Sequence, residues 1–95
     1  MAVKIIIKRE IPKEKEKELL PLLKELRSKA VAQAGYISGE TLMNVDNPEE
    51  YLVISTWQSV DAWKAWESSR QREKIHDKID ALLRRKSEYG IYFYG

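Results

Sequence analysis

The chain has 95 residues, a formal net charge of +2, one histidine and no cysteine. That length makes one domain, and the composition excludes disulfides, thiolate metal sites, iron–sulfur clusters, a cysteine nucleophile and any site needing two imidazoles from one chain. Basic and acidic residues nearly cancel, 17 against 15, which removes the electrostatic case for nucleic acid. At 43% hydrophobic the chain is neither disordered nor membranous. No stretch approaches the roughly 18–20 apolar residues of a spanning helix, and the N-terminus lacks an apolar signal core. A soluble, cytoplasmic, single domain is expected. Nine aromatics, with three tryptophans crowded into residues 57–66, are the compositional oddity.

Val3 to Arg9 is β-branched and alternates, which predicts a strand with Val3, Ile5 and Ile7 on one face and Lys4, Ile6 and Lys8 on the other. Pro12 ends pairing. Leu19, Leu22, Leu23, Leu26 and Ala30 then recur at helical spacing, predicting an amphipathic helix from about Glu14 to Gln33 with a bend or late start near Pro21. Gly35 closes it. Tyr36 to Val45 reads as a second strand with a bulge or bend at Gly39. Asp46-Asn47-Pro48 is a turn, so Tyr51 to Trp57 returns as an antiparallel third strand. Ser59 caps a helical stretch from Val60 to about Lys86. Its two apolar stripes, Val60/Trp63/Trp66 and Ile75/Ile79/Leu82/Leu83, point in different directions, which predicts a break at Glu67-Ser68-Ser69. Tyr89 to Tyr94 is the last strand. The seven Lys and Arg of residues 70–86, against Glu73, Asp77 and Asp80, read as a solvated helix face.

The order β-α-β-β-α-β is that of an α+β, ferredoxin-like domain, with a four-stranded antiparallel sheet and both helices on one face. Ile6, the two-sided third strand and Tyr92 and Tyr94 make the other face too apolar to stay wet, so a homodimer packed sheet on sheet is expected. Among activities hosted by such folds, RNA recognition lacks its aromatic strand motif, and a metallochaperone lacks its Cys-x-x-Cys loop. No acylphosphatase phosphate loop, Walker loop, dinucleotide glycine pattern or histidine–glutamate zinc motif is present.

What stands out is Leu52 to Trp66, a strand ending in Trp57 followed by an aromatic helix, and beyond it His76. With Gly35-Tyr36-Ile37-Ser38-Gly39, this segment resembles the antibiotic biosynthesis monooxygenase (ABM) family, and the element order extends the resemblance over residues 1–95. The resemblance implies a dimeric α+β barrel and a pocket between sheet and helices in each subunit. The family's cofactor-free quinone-forming branch uses a strand-three tryptophan, matched by Trp57, with an asparagine four residues earlier, where this chain has Val53. Its heme-degrading branch uses a helix tryptophan and, ten residues on, an iron-ligating histidine, matched by Trp66 and His76. That branch also needs a first-strand asparagine, absent from Val3 to Arg9.

Three functions are therefore carried forward. The first is a cofactor-independent monooxygenase acting on a small aromatic or quinol-like molecule, with Trp57, Trp63 and Trp66 binding substrate and His76 and Trp57 as catalytic candidates. The second is a heme-binding or heme-degrading protein with His76 on the iron and Arg70, Arg72 and Lys74 near the propionates. The third is a dimer that binds a small ligand, or serves structure alone, without catalysis.

Overall fold

A computed structural model describes all 95 residues. Strand β1 (Val3–Glu10) leads through a short 3-10 turn at Lys13–Lys15 into helix α1 (Glu16–Val31). Strands β2 (Tyr36–Met43) and β3 (Glu50–Trp57) form the hairpin, helices α2 (Val60–Glu67) and α3 (Arg70–Leu82) follow, and β4 (Glu88–Phe93) ends the order. The sheet runs β2-β3-β1-β4, antiparallel throughout. This is the ferredoxin-like arrangement expected from the alternation of periods along the chain.

The expectation of an α+β barrel is corrected by the strand order. β2 and β4 are the two outer strands, they do not pair with each other, and the sheet is open. Closure requires the outer strands to meet through a tilted, staggered register, and four twisted strands leave them on opposite sides.

Alternation along β1 sorts the sheet into two faces. Val3, Ile5, Ile7 and Arg9 are buried on the helix side, where they pair with Trp57, Ser55, Val53 and Tyr51 of β3. The core joins these to Leu19 and Leu26 of α1, Trp63 and Trp66 of α2, and Ile75 and Ile79 of α3. On the other face lie Ile6, Leu52 and Ile54, half-buried, with Leu42, Tyr92 and Tyr94 exposed. No helix is long and apolar enough to cross a membrane.

Two local devices fix the helices. Ser59 Oγ accepts from Ala62 N at 3.1 Å, capping α2 as its sequence position suggests. At the break, Ser69 Oγ donates to Trp66 O at 2.7 Å and accepts from Arg72 N at 3.2 Å. One hydroxyl thus ends α2 and begins α3, and it sets the angle between Trp66 and Arg72. Gly35, at φ +88°, makes the turn into β2 where a Cβ would stand 2.5 Å from Ala62 Cβ. The bulge lies between Tyr36 and Ser38 and not at Gly39. Gly39 serves a different purpose: any Cβ there would meet the Tyr36 hydroxyl, so its absence lets the Tyr36 ring lie across β2. The strong turn also forms, with Asn44 Oδ1 accepting from Asp46 N at 2.8 Å.

Candidate functional site

Between α1 and the helix-side face of β1, β2 and β3 is a cavity of about 740 Å³. It is bordered by Leu23, Leu26 and Ala30 of α1 on one side and by Tyr36, Gly39 and Thr41 of β2 on the other, where the glycine leaves room beneath the helix. The volume falls within the ~300–1,000 Å³ of small-molecule sites and far exceeds the ~30 Å³ share of one water.

Its inner wall is aromatic. Trp57, at the end of β3, and Trp63 and Trp66, one helical turn apart on α2, are all buried and all line the cavity. The rings form an edge-to-face series: Tyr36 to Trp57 at 5.4 Å and 88°, then Trp57 to Trp63 at 5.7 Å and 69°. Trp63 continues it to Tyr89 at 5.4 Å and 64°. Each such contact adds about 0.5–1.5 kcal/mol beyond burial, so the wall is stiff and preformed. Trp57 Nε1 donates to Ser55 Oγ at 3.1 Å, which fixes that indole. Trp63 Nε1 is buried without a partner.

Two buried arginines complete the lining. Arg9 is 3% exposed and Arg72 7%. Arg72 Cζ stands 5.5 Å from the Trp63 ring centroid, and its Nη1 reaches Glu67 O at 3.5 Å. Nε and Nη2 of Arg9 have no hydrogen-bond partner. Burial drives the Arg9 guanidinium well below its usual pKa, down to about 10, with the Arg72 charge adding to the effect and Asp80 opposing it. Burial likewise lowers Arg72, against Glu67, Tyr89 and Asp80. Sequence reasoning misses Arg9 as a site residue, and it considers Arg72 only as a propionate partner in the heme reading or as part of a solvated helix face. The signal is present in the periodicity: Arg9 continues the Val3, Ile5, Ile7 alternation, and Arg72 precedes Ile75 and Ile79 on their own stripe.

His76 is not among the lining residues. It sits on α3 with Nδ1 3.3 Å from Asp80 Oδ2 and with Nε2 buried and unpartnered. Burial pushes its pKa from 6.5 to about 4, helped by Arg72 and Arg9 and resisted by Asp80 and Asp77. The imidazole is therefore neutral at neutral pH. It does not open onto the cavity, so these residues do not fit a heme whose iron would be ligated there. No three acidic or imidazole side chains converge on a metal position.

The mouth lies between α1 and β2. Lys17, Lys24 and Arg27 are exposed on the helix side, and Gly39 and Thr41 form the strand side, Glu40 between them belonging to the other face of the sheet. Arg27 Nη2 bridges the rim to Gly39 O at 3.4 Å. An aromatic chamber with a cationic inner end and a mainly cationic rim can enclose a planar molecule and exclude water from it.

This fold recurs in known proteins. A conserved protein from Methanosarcina mazei Go1 has a crystal structure that superposes with a TM-score of 0.89, at 22% identity, covering 97% of this chain and 91% of that one. A mutant of SnoaB, a cofactor-independent oxygenase from Streptomyces nogalater, gives 0.86 at 17% identity, covering 98% and 92%. At these identities the likeness is one of fold. Protein SchA of Streptomyces halstedii is 22% identical over 82 residues, which is 86% of this chain and 22% of that protein. This chain thus spans about a fifth of the length of the curated relatives it matches. The family model named Antibiotic biosynthesis monooxygenase matches residues 2–78, from the first strand through both tryptophan-bearing elements and most of α3. The chain belongs to the antibiotic biosynthesis monooxygenase family.

Proposed function

We propose that this ABM domain is a cofactor-independent monooxygenase whose substrate is a small aromatic, quinol-like molecule held between α1 and the sheet. The observation that carries the reading is the 740 Å³ cavity walled by Trp57, Trp63 and Trp66. Indoles are expensive core fillers, and three of them around open volume suit a flat π-system better than they suit packing alone.

The chemistry follows from what such a chamber supplies. An electron-rich phenol or quinol reacts with dioxygen most readily once deprotonated, and the protein's part is to favour that anion, align it and exclude water. In the net reaction of a phenol, one oxygen atom enters the ring carbon that becomes the second quinone carbonyl. The other atom leaves as water, and the substrate supplies all four electrons. The tryptophans bind and orient the ring, with Trp57 also touching the reacting face. His76, behind the wall, takes no proton from substrate in this reading. Substrate identity beyond its aromatic class would be set by the mouth, through Leu20, Pro21 and Thr41.

The working form in this reading is a homodimer. Leu42, Tyr92 and Tyr94 are exposed beside Ile6, Leu52 and Ile54 on the face away from the helices. An apolar patch of this kind, with Lys4 and Lys8 along β1 beside it, suits an identical face in an isologous contact.

Oxygen uptake with a panel of hydroquinones and naphthols tests the activity. The expected result is one dioxygen consumed per substrate, with one labelled oxygen atom in the quinone formed from a naphthol or in the hydroxyquinone formed from a hydroquinone, and the other released as water. A hydroquinone oxidised without label and with hydrogen peroxide formed is plain autoxidation and counts against the reading. Uptake no faster than buffer across the panel would overturn the reading.

A further inference from the structure

We propose that the cavity takes its ligand as an oxyanion, an ionised aromatic hydroxyl or a carboxylate, seated on the guanidinium groups of Arg9 and Arg72. The inference rests on reading the cavity as a substrate site, and it names the ligand's charge and the residues that recognise it.

The first support is the balance of buried charge. No carboxylate oxygen lies within 4.0 Å of either guanidinium, although three ion pairs form elsewhere in the molecule. Asp80 and Glu67 act on these arginines only from farther away. Asp80 is also committed elsewhere. Its Oδ1 accepts from Ser87 Oγ at 3.2 Å and from Ser87 N at 3.5 Å, and its Oδ2 faces His76 Nδ1. His76 adds no positive charge at neutral pH. A buried cation without a close partner is among the costliest features a small domain can carry, and two beside one cavity call for an anion to complete them.

The second support is unused hydrogen-bonding capacity. Arg9 offers Nε and Nη2 without partners, and Trp63 Nε1, beside Arg72, is a further unmatched donor. The wall around them otherwise presents hydrophobic and aromatic side chains. Both guanidinium groups border this apolar chamber with their unpartnered nitrogens covered by the wall itself, and a small turn of the side chain presents a planar fork that fits the oxygens of an anion on a flat ring.

The third is independent of burial. At the mouth Lys17, Lys24 and Arg27 are exposed, while Glu40, the one acidic residue along the lining, stands opposite Ile54 on the other face of the sheet, all on a chain whose net charge is only +2. The local field draws anions toward the entrance and repels cations.

Three probes of one shape decide it at neutral pH: 2-naphthoate, its neutral isostere 2-naphthamide, and 2-naphthol. Binding is followed by quenching of the cavity tryptophans and by calorimetry, using the full chain. The expected result is that 2-naphthoate binds about ten- to a hundredfold tighter than the amide, the worth of charge-assisted hydrogen bonds, or that bound 2-naphthol shows the absorption of its ionised form. The former marks a carboxylate as the recognised anion, the latter an aromatic hydroxyl. In Arg9→Met and Arg72→Met the preference for naphthoate over the amide collapses, and an unchanged circular dichroism spectrum with a cooperative thermal melt certifies that each variant is folded. Three results would each overturn the proposal. One is equal affinity for naphthoate and amide with naphthol neutral in its complex; another is a preference that survives both substitutions; the last is no binding of either acid. The probes report no oxygen chemistry, so an inert protein can still show the preference, and an active oxygenase can lack it.

Discussion

Replacing Arg9 by methionine separates stability from function, because the two change in opposite directions. Arg9 is 3% exposed, and burial with Arg72 nearby lowers its pKa well below the usual guanidinium value, to about 10. Each tenfold loss of proton affinity on folding is worth about 1.4 kcal/mol, so keeping Arg9 charged in the fold costs about 3 kcal/mol. For a base with a lowered folded pKa, the unfolded chain holds the extra proton between the two values. The penalty is therefore full at every pH below about 10 and fades only as pH climbs from there toward the ordinary guanidinium value. Methionine keeps an unbranched stem of similar reach, removes the charge, and surrenders no hydrogen bond from Nε or Nη2, since neither makes one. Arg9→Met should then unfold at higher urea, stabilised by about 2–3 kcal/mol at neutral pH, a large fraction of the ~5–15 kcal/mol of a whole domain. In thermal melts this is a rise on the order of 10 °C for a domain of this size. Both proteins are compared at one protein concentration, since subunit pairing would shift the midpoints. A midpoint at or below wild type would refute the claim that Arg9 is an uncompensated charge. A saturating anionic probe gives the complementary measurement, raising the wild-type midpoint and leaving that of the variant where it is.

Other perturbations test other parts of the structure. His76, lowered from 6.5 to about 4 by burial and by Arg72 and Arg9 against Asp80 and Asp77, is a base that the unfolded chain protonates first. Stability should therefore decline as pH falls from 6.5 to 4, and His76→Gln should flatten that window in urea titrations; an unchanged pH profile would refute the assignment. Glu14 and Glu50, both lowered by hydrogen bonds, lose their contributions below the ordinary carboxylate value of 4.5, beneath most of that window. Gly35→Ala forces a left-handed residue with its Cβ against Ala62 Cβ at 2.5 Å and should destabilise by about 2–4 kcal/mol; a loss under about 1 kcal/mol would show that the turn relaxes. Leu52→Glu combined with Ile54→Glu places two charges on the open sheet face and should convert a dimer to a folded monomer in sedimentation. Unchanged mass would place the interface elsewhere.

Wherever one period runs uninterrupted, the sequence reveals the structure. The alternation of β1, the stripe of α1 and the paired stripes of α2 and α3 each force one face inward, and even the break at Ser68-Ser69 follows from their misalignment. Closure of the sheet is not legible in the same way. It depends on whether the outer strands can reach each other, and side-chain alternation within a strand carries no information about that. β2 and β4 stay apart on opposite sides of the pair β3-β1.

The site divides along the same line. Trp57, Trp63 and Trp66 come together because each belongs to a regular element whose inward face is evident. The ten-residue spacing from Trp66 to His76 misleads because it crosses the break. Ser69 restarts the helix at a new angle, so the count along the chain no longer gives the relative direction of the two side chains. Arg9 and Arg72 are hidden by an opposite habit, that of assigning charged residues to solvent. Both occupy inward positions of strongly periodic elements, a conflict between local pattern and residue type that a fold tolerates where function compensates for it. Position on the apolar face is the stronger signal, and charge at such a position is what directs attention to the cavity. On that reasoning the two buried arginines, which lower the stability of the empty domain, are the residues a ligand would complete, and the gain in stability on binding an anion measures how far they have been waiting for one.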